Sequence, residues 1–147
     1  MLGSDRPPEA LAQHTGFLMN WCAERSRRRF AQALAEHGLH PREFGVLSVI
    51  AAHPGIPQQA IGEAAGVDPS TMVATIDALQ ERGLAERHPH PTDRRKRAVR
   101  LTPQGEEVLR ETRAMATELG DEVFAPLTHG EREELHRLLR KLAGLET

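Results

Sequence analysis

Residues 57–105, PQQAIGEAAGVDPSTMVATIDALQERGLAERHPHPTDRRKRAVRLTPQG, decide the fold of this 147-residue chain. Their first half reads as two short helices joined by a tight turn. Pro57 opens the first, which carries Ala60 and Ile61 and ends at Gly66, after which Val67 drops into the core. Asp68-Pro69 then starts a second helix, with Asp as N-cap and Pro at the first helical position. That helix runs to Arg82 and stops at Gly83. Met72, Ile76 and Leu79 recur at spacings of four and three and so share one side of it. Ser70, Thr71, Ala74, Asp77, Ala78 and Glu81 fall on the opposite face. The N-terminal end of that face is small and hydroxyl-bearing, which suits a DNA major groove; its C-terminal end carries Asp77 and Glu81, which phosphates repel. Such a helix meets DNA N-terminus first, its positive dipole end leading. Pro69, Ser70, Thr71, Ala74 and Thr75 are therefore its candidate DNA-contacting residues. Hydroxyls bond several bases, and the Ala74 methyl suits a thymine methyl.

The second half of the segment strengthens this reading. Leu84–His88 and Arg97–Leu101 are short enough for strands, and two prolines keep the start of the intervening residues 89–96 off a ladder, so that they project as a loop. Residues 86–100 hold six basic and two acidic side chains, a local +4 in a chain of net charge −2. Residues 1–56 and 57–102 are each net +1, and residues 103–147 are net −4. A compact basic patch on a mildly acidic protein is an electrostatic footprint for phosphate. At its tip lies Asp93-Arg94-Arg95-Lys96-Arg97. Arginine is favoured in a narrow minor groove by the negative potential there, and Asp93 is placed to hold an arginine two residues on through a charge-assisted hydrogen bond. Asp93, Arg94, Arg95 and Arg97 join the candidate DNA contacts.

Outward from this unit the chain is helical. A helix over 9–37 ends at Gly38, with Leu11, Leu18, Cys22, Phe30 and Leu34 at roughly helical spacing. Pro41 opens another, with Phe44, Leu47, Ile50 and Ala51 on one face, ended by His53-Pro54-Gly55. Thr102-Pro103 repeats the cap-then-proline signal and launches a helix to about Phe124. Thr128 and Glu131 make a capping box for a last helix with an apolar stripe of Leu135, Leu138, Leu139 and Leu142. The expected fold is mainly α (α+β): a winged helix-turn-helix of six helices with a two-stranded β wing. Residues 39–102 form its DNA-binding region, and residues 9–38 with 103–147 a helical dimerisation region. The terminal stripes have no sheet to cover them, and a second copy of the chain would bury them.

Other classes are set aside on composition. No run of 18 apolar residues is present, so no membrane span is read, and Met1 to Ala10 lack a signal-peptide pattern. The lone Cys22 fits a reducing, cytoplasmic compartment. No nucleophile motif, phosphate-binding glycine loop or paired-carboxylate setting points to an enzyme, and no cofactor is called for. His88 and His90 lack the further ligands zinc needs and read as polar wing residues. Phe17 and Trp21 share a helical face, suited either to lining a ligand cavity or to packing. Arg25, Arg27, Arg28 and Arg29 form either a solvated face or an auxiliary phosphate contact.

The runs Val67-Asp68-Pro69-Ser70-Thr71-Met72-Val73 and Leu79 through Leu84, then Glu86-Arg87, Pro91-x-Asp93-Arg94-Arg95 and Leu101-Thr102-x-x-Gly105, resemble the MarR family of bacterial winged-helix regulators. The likeness spans about residues 10–143. It implies a homodimer whose recognition helices enter successive major grooves of a pseudo-palindromic operator, and usually a repressor released by a small-molecule effector. It also implies that Arg95 matches the family's minor-groove arginine and Asp93 the aspartate that braces it. Many members carry a long polar residue where this chain has Ala74, which leaves more of the readout to DNA shape. Cys22 falls roughly where peroxide-sensing relatives place a reactive thiol, the basis of an alternative, redox-sensing role. Those sensors activate the thiol with tyrosine hydroxyls, and this chain has no tyrosine, so a buried, inert Cys22 is expected.

Overall fold

A computed structural model describes residues 6–145. The first residues of the tail expected before Pro7-Pro8, half of the Met1–Ala10 signal-peptide window and the last two residues of the 103–147 region lie outside the described residues. The elements are α1 (Glu9–Ala12), α2 (Thr15–Glu36), α3 (Pro41–Ala52), β1 (Ile56–Pro57), α4 (Gln58–Ala65), α5 (Pro69–Glu81), β2 (Ala85–Pro89), β3 (Arg97–Leu101), α6 (Pro103–Val123) and α7 (His129–Leu142). The mainly helical, winged class stands. Among the described residues, though, there are seven helices and three strands rather than six and two.

Both differences have local causes. The first helix breaks at His14, whose backbone is extended (φ −101°, ψ 113°), and the Gln13 side-chain amide donates to the Ala10 carbonyl at the end of α1. Thr15 and Gly16 follow, both poor helix formers, so interrupting the helix here costs little. The extra strand is two residues long. Ile56 and Pro57 pair with Val99 and Ala98, giving an antiparallel sheet of order β1-β3-β2. A proline there needs no donor on its open side, and Pro57 thereby becomes the cap of α4 rather than its first residue. Pro89, expected off the ladder, is the last residue of β2 and pairs with Arg97.

One core runs through the molecule. Leu47 and Ile50 of α3, Ile61 of α4, Met72, Ile76 and Leu79 of α5, and Val99 of β3 are almost completely buried, together with Leu34 of α2 and Leu109 of α6. Burying each such side chain stabilises the fold by about 1.5–3 kcal/mol. Phe30 meets Phe44 edge to face, with centroids 5.2 Å apart, and joins α2 to α3. The 9–38 and 103–147 segments therefore share their inner ends with the central unit's core. Helix α7 is different: it buries none of its residues, and Leu138, Leu139 and Leu142 are exposed.

Two glycines carry the joints. Gly66 turns the chain between α4 and α5 in the left-handed region (φ 65°), where an L side chain is strained. At the start of α6, a Cβ on Gly105 would stand 1.9 Å from the Leu84 carbonyl oxygen. The Gly105 amide donates to Thr102 Oγ1, whose hydroxyl donates to the Gly83 carbonyl. The turn that ends α5 and the root of α6 are thus pinned in direct contact.

Candidate nucleic-acid interface

Helix α5 is built to present a small, polar N-terminal edge. Asp68 caps it by accepting the Thr71 amide at 3.0 Å and the Ser70 hydroxyl at 2.7 Å. The Thr71 hydroxyl and amide, with the Ser70 hydroxyl, hold the Asp68 carboxyl well below the usual carboxylate range. Pro69, Ser70 and Ala74 are exposed, and Thr71 is half-buried. Because Ser70 spends its proton on Asp68, its oxygen is left free to accept.

Thr75 corrects the sequence reading. It is buried, only 7% exposed, and its hydroxyl donates to the Thr71 carbonyl at 2.8 Å. At three residues beyond Met72 and one before Ile76 it turns into the core, so it belongs to packing rather than to the reading edge. Val73, which the sequence reading passed over, is 44% exposed beside Ala74. Its apolar character in a core-forming helix disguised it.

The wing tip is a short turn closed by the Lys96 amide on the Asp93 carbonyl at 3.0 Å. The Asp93 carboxylate accepts the Arg95 amide at 3.0 Å and reaches Arg95 Nε at 3.4 Å. Arg95 is thereby aimed outward with its side chain 92% exposed. Arg94, Lys96 and Arg97 are exposed, and none forms an ion pair among the described residues. The aspartate brace expected from the spacing is present, and the cations around it face solvent.

Two further charge assignments changed. Asp77 does not stand alone on α5, because Arg87 Nη1 pairs with it at 2.6 Å. The Arg87 charge, counted in the basic patch, is consumed inside the protein. Of the basic cluster on α2, Arg27 and Arg28 pair with Glu24, and Arg29 pairs with Glu122 of α6. These ion pairs favour the solvated-face reading over a phosphate contact.

The remaining candidates separate. Cys22, expected to be buried, is exposed and lines a cleft of about 420 Å³ with Arg25, Ser26, Arg29, Glu122, Val123 and Pro126. Its cleft lies where α2 meets the end of α6. Phe17 and Trp21 stack on each other at 6.0 Å, but neither lines that cleft. His88 engages Glu86, and His90 accepts from the Thr92 amide. Among the described residues no group of three or more His, Cys, Asp and Glu is placed to hold a metal, and no helix is long and apolar enough to cross a membrane.

A helix-turn-helix capped by a basic, arginine-tipped hairpin defines a winged-helix protein. Comparison with known proteins carries the assignment further. The family model described as MarR family matches residues 37–96. A Thauera aromatica protein named for transcriptional regulation of the hcr operon is 33% identical over 134 residues, covering 90% of this chain and 81% of that one. Among solved structures, the transcriptional repressor CouR bound to a 23-mer DNA duplex superposes with a TM-score of 0.82 at 30% identity, over 95% of this chain and 99% of that one. PcaV from Streptomyces coelicolor, a transcriptional regulator in complex with its natural ligand, superposes with a TM-score of 0.72 at 27% identity, over 95% and 98% of the two chains. The chain belongs to the MarR family of transcriptional regulators.

Proposed function

We propose that the protein is a homodimeric repressor that binds a pseudo-palindromic operator through α5 and the wing, and that a small ligand releases it. The observation that carries this is the wing tip: Asp93 holds Arg95 outward beside a recognition helix whose N-terminal edge is small and polar. In this reading Ser70, Thr71 and Ala74, flanked by Pro69, face the major groove. Arg95 enters the minor groove, and Arg94 and Arg97 lie on phosphates. CouR, described as a repressor on a DNA duplex, supports the mode of binding, and ligand-bound PcaV supports an effector. Residues 39–102 serve as the DNA-binding region. Residues 9–38 and 103–147 serve as the dimerisation region, because no residue of α7 is fully buried and Leu138, Leu139 and Leu142 are exposed in the single chain.

Selection of bound duplexes from random DNA tests the reading. The expected product is two half-sites with centres about one helical turn, roughly 10 base pairs, apart. An unpaired half-site would sink the dimeric docking, and no enrichment would sink DNA binding itself. The exposure of Cys22 favours one second reading, release by thiol oxidation. Cys22→Ser decides it: the ligand reading expects peroxide to have the same effect on DNA binding by this variant and by the wild type, whereas loss of peroxide-triggered release would establish the thiol.

A further inference from the structure

We propose that Arg87 is a positioning residue that locks the recognition helix to the wing and so sets sequence discrimination, an inference that rests on the DNA-binding reading above. Arg87 stands on β2 opposite Val99, on the sheet face that also carries the buried Ala85, and its side chain is only 20% exposed. Its guanidinium spans three elements. Nε donates to Gln58 Oε1 at the start of α4 at 2.8 Å. Nη1 donates to Asp77 Oδ1 at 2.6 Å and to Gln80 Oε1 at 3.3 Å, and Nη2 reaches the Val73 carbonyl at 3.5 Å. One planar fork therefore ties the wing to both helices of the helix-turn-helix, which the single point of a lysine ammonium cannot do.

The grip falls on a defined stripe. At 3.6 residues per turn, Val73, Asp77 and Gln80 lie within about 60° of one another around α5. Ser70 and Ala74 border that stripe, so holding it fixes the rotation of α5 about its own axis and the angle at which they meet base edges. Arg87 differs here from Arg94, Lys96 and Arg97: its charge is spent internally, and its removal takes no phosphate contact away.

The test uses full-length wild type, Arg87→Gln, Arg87→Lys and the neutral double variant Gln58→Leu/Gln80→Leu. Each is titrated, at several salt concentrations, against the duplex that wild type selects from random DNA and against a scrambled duplex, with thermal unfolding measured in parallel. Arg87→Gln is expected to lose about tenfold or more on the selected duplex. It should change by less than about threefold on the scrambled one, with the salt slope unchanged. Arg87→Lys keeps the charge without the fork and is expected to lose discrimination as well. Equal losses on both duplexes, with a slope lower by about one, would make Arg87 a phosphate ligand and overturn the proposal. A lowered melting temperature with discrimination intact would overturn it too, by leaving only a structural role. If the Arg87 variants do not fold, the double variant decides: discrimination falls if the proposal holds and is retained if it does not. Failure of the wild type to select any duplex is a separate result, which sinks the DNA-binding reading itself.

Discussion

Arg95 and Arg97 carry the same charge two residues apart, yet the structure holds them differently. Arg95 leaves the turn outward, oriented by Asp93 through its own amide and Nε, while Arg97 is already in β3, opposite Pro89. Arg95→Ala is therefore expected to weaken operator binding more than Arg97→Ala and to erode discrimination against a scrambled duplex, since groove width depends on sequence. Arg97→Ala should weaken both duplexes alike and flatten the salt slope by about one. Asp93→Ala should reproduce part of the Arg95 loss, because an unbraced arginine is ordered only on binding. Titration of both duplexes at several salt concentrations separates these outcomes, and equal behaviour of the two arginine variants would reduce the wing to an electrostatic clamp. Asp93–Arg95 was legible in the sequence because its partners are two residues apart. Arg87 was not, since its partners lie 7 to 29 residues away on two other elements.

Among the elements, α5 and α6 depend on their first turns. The depressed Asp68 carboxyl makes a pH prediction with a definite sign. A carboxyl whose folded value lies below its unfolded value of about 3.9 stabilises fully above that pH. The contribution then fades as pH falls toward the folded value. The melting-temperature difference between wild type and Asp68→Asn should accordingly be flat from neutral pH down to about 5 and shrink below about 4. A difference that grows on acidification would contradict the cap. At α6, Gly105→Ala forces a methyl against the Leu84 carbonyl, where backbone must give way. Loss of about 2–3 kcal/mol in denaturant unfolding is expected. The cap-then-proline signals at Asp68-Pro69 and Thr102-Pro103 were readable because capping is a local contact. The break at His14 and the strand at Ile56–Pro57 were not, because a two-residue feature has no period.

For the molecule as a whole, α7 is the element without a home. Its Leu138, Leu139 and Leu142 stay exposed in the single chain, as do Leu11 and Met19 near the other terminus. A patch of this kind on a stable protein calls for a partner, and a second copy supplies the same surface by symmetry. Light scattering should give a dimer at micromolar concentration, and Leu138→Glu/Leu142→Glu should shift it toward monomer while weakening operator binding. A folded wild-type monomer of 16.3 kDa would remove the dimeric reading.

What the sequence determined by itself was set by residues close along the chain. Caps, turns, the 72/76/79 core stripe, the basic hairpin and the Asp93–Arg95 brace all follow from short spacings and intrinsic conformational preference. What only the tertiary structure decided depends on which surfaces meet. Thr75 faces inward because α5 packs on α3 and α4, Cys22 is exposed because it lines an open cleft beside α6 rather than the core, and Arg87 is consumed because β2 runs beneath α5. Residue type alone left each of these open, since a threonine, a cysteine and an arginine are all stable on either side of an interface. The packing of distant elements, which buries one face and leaves another in water, made the choice.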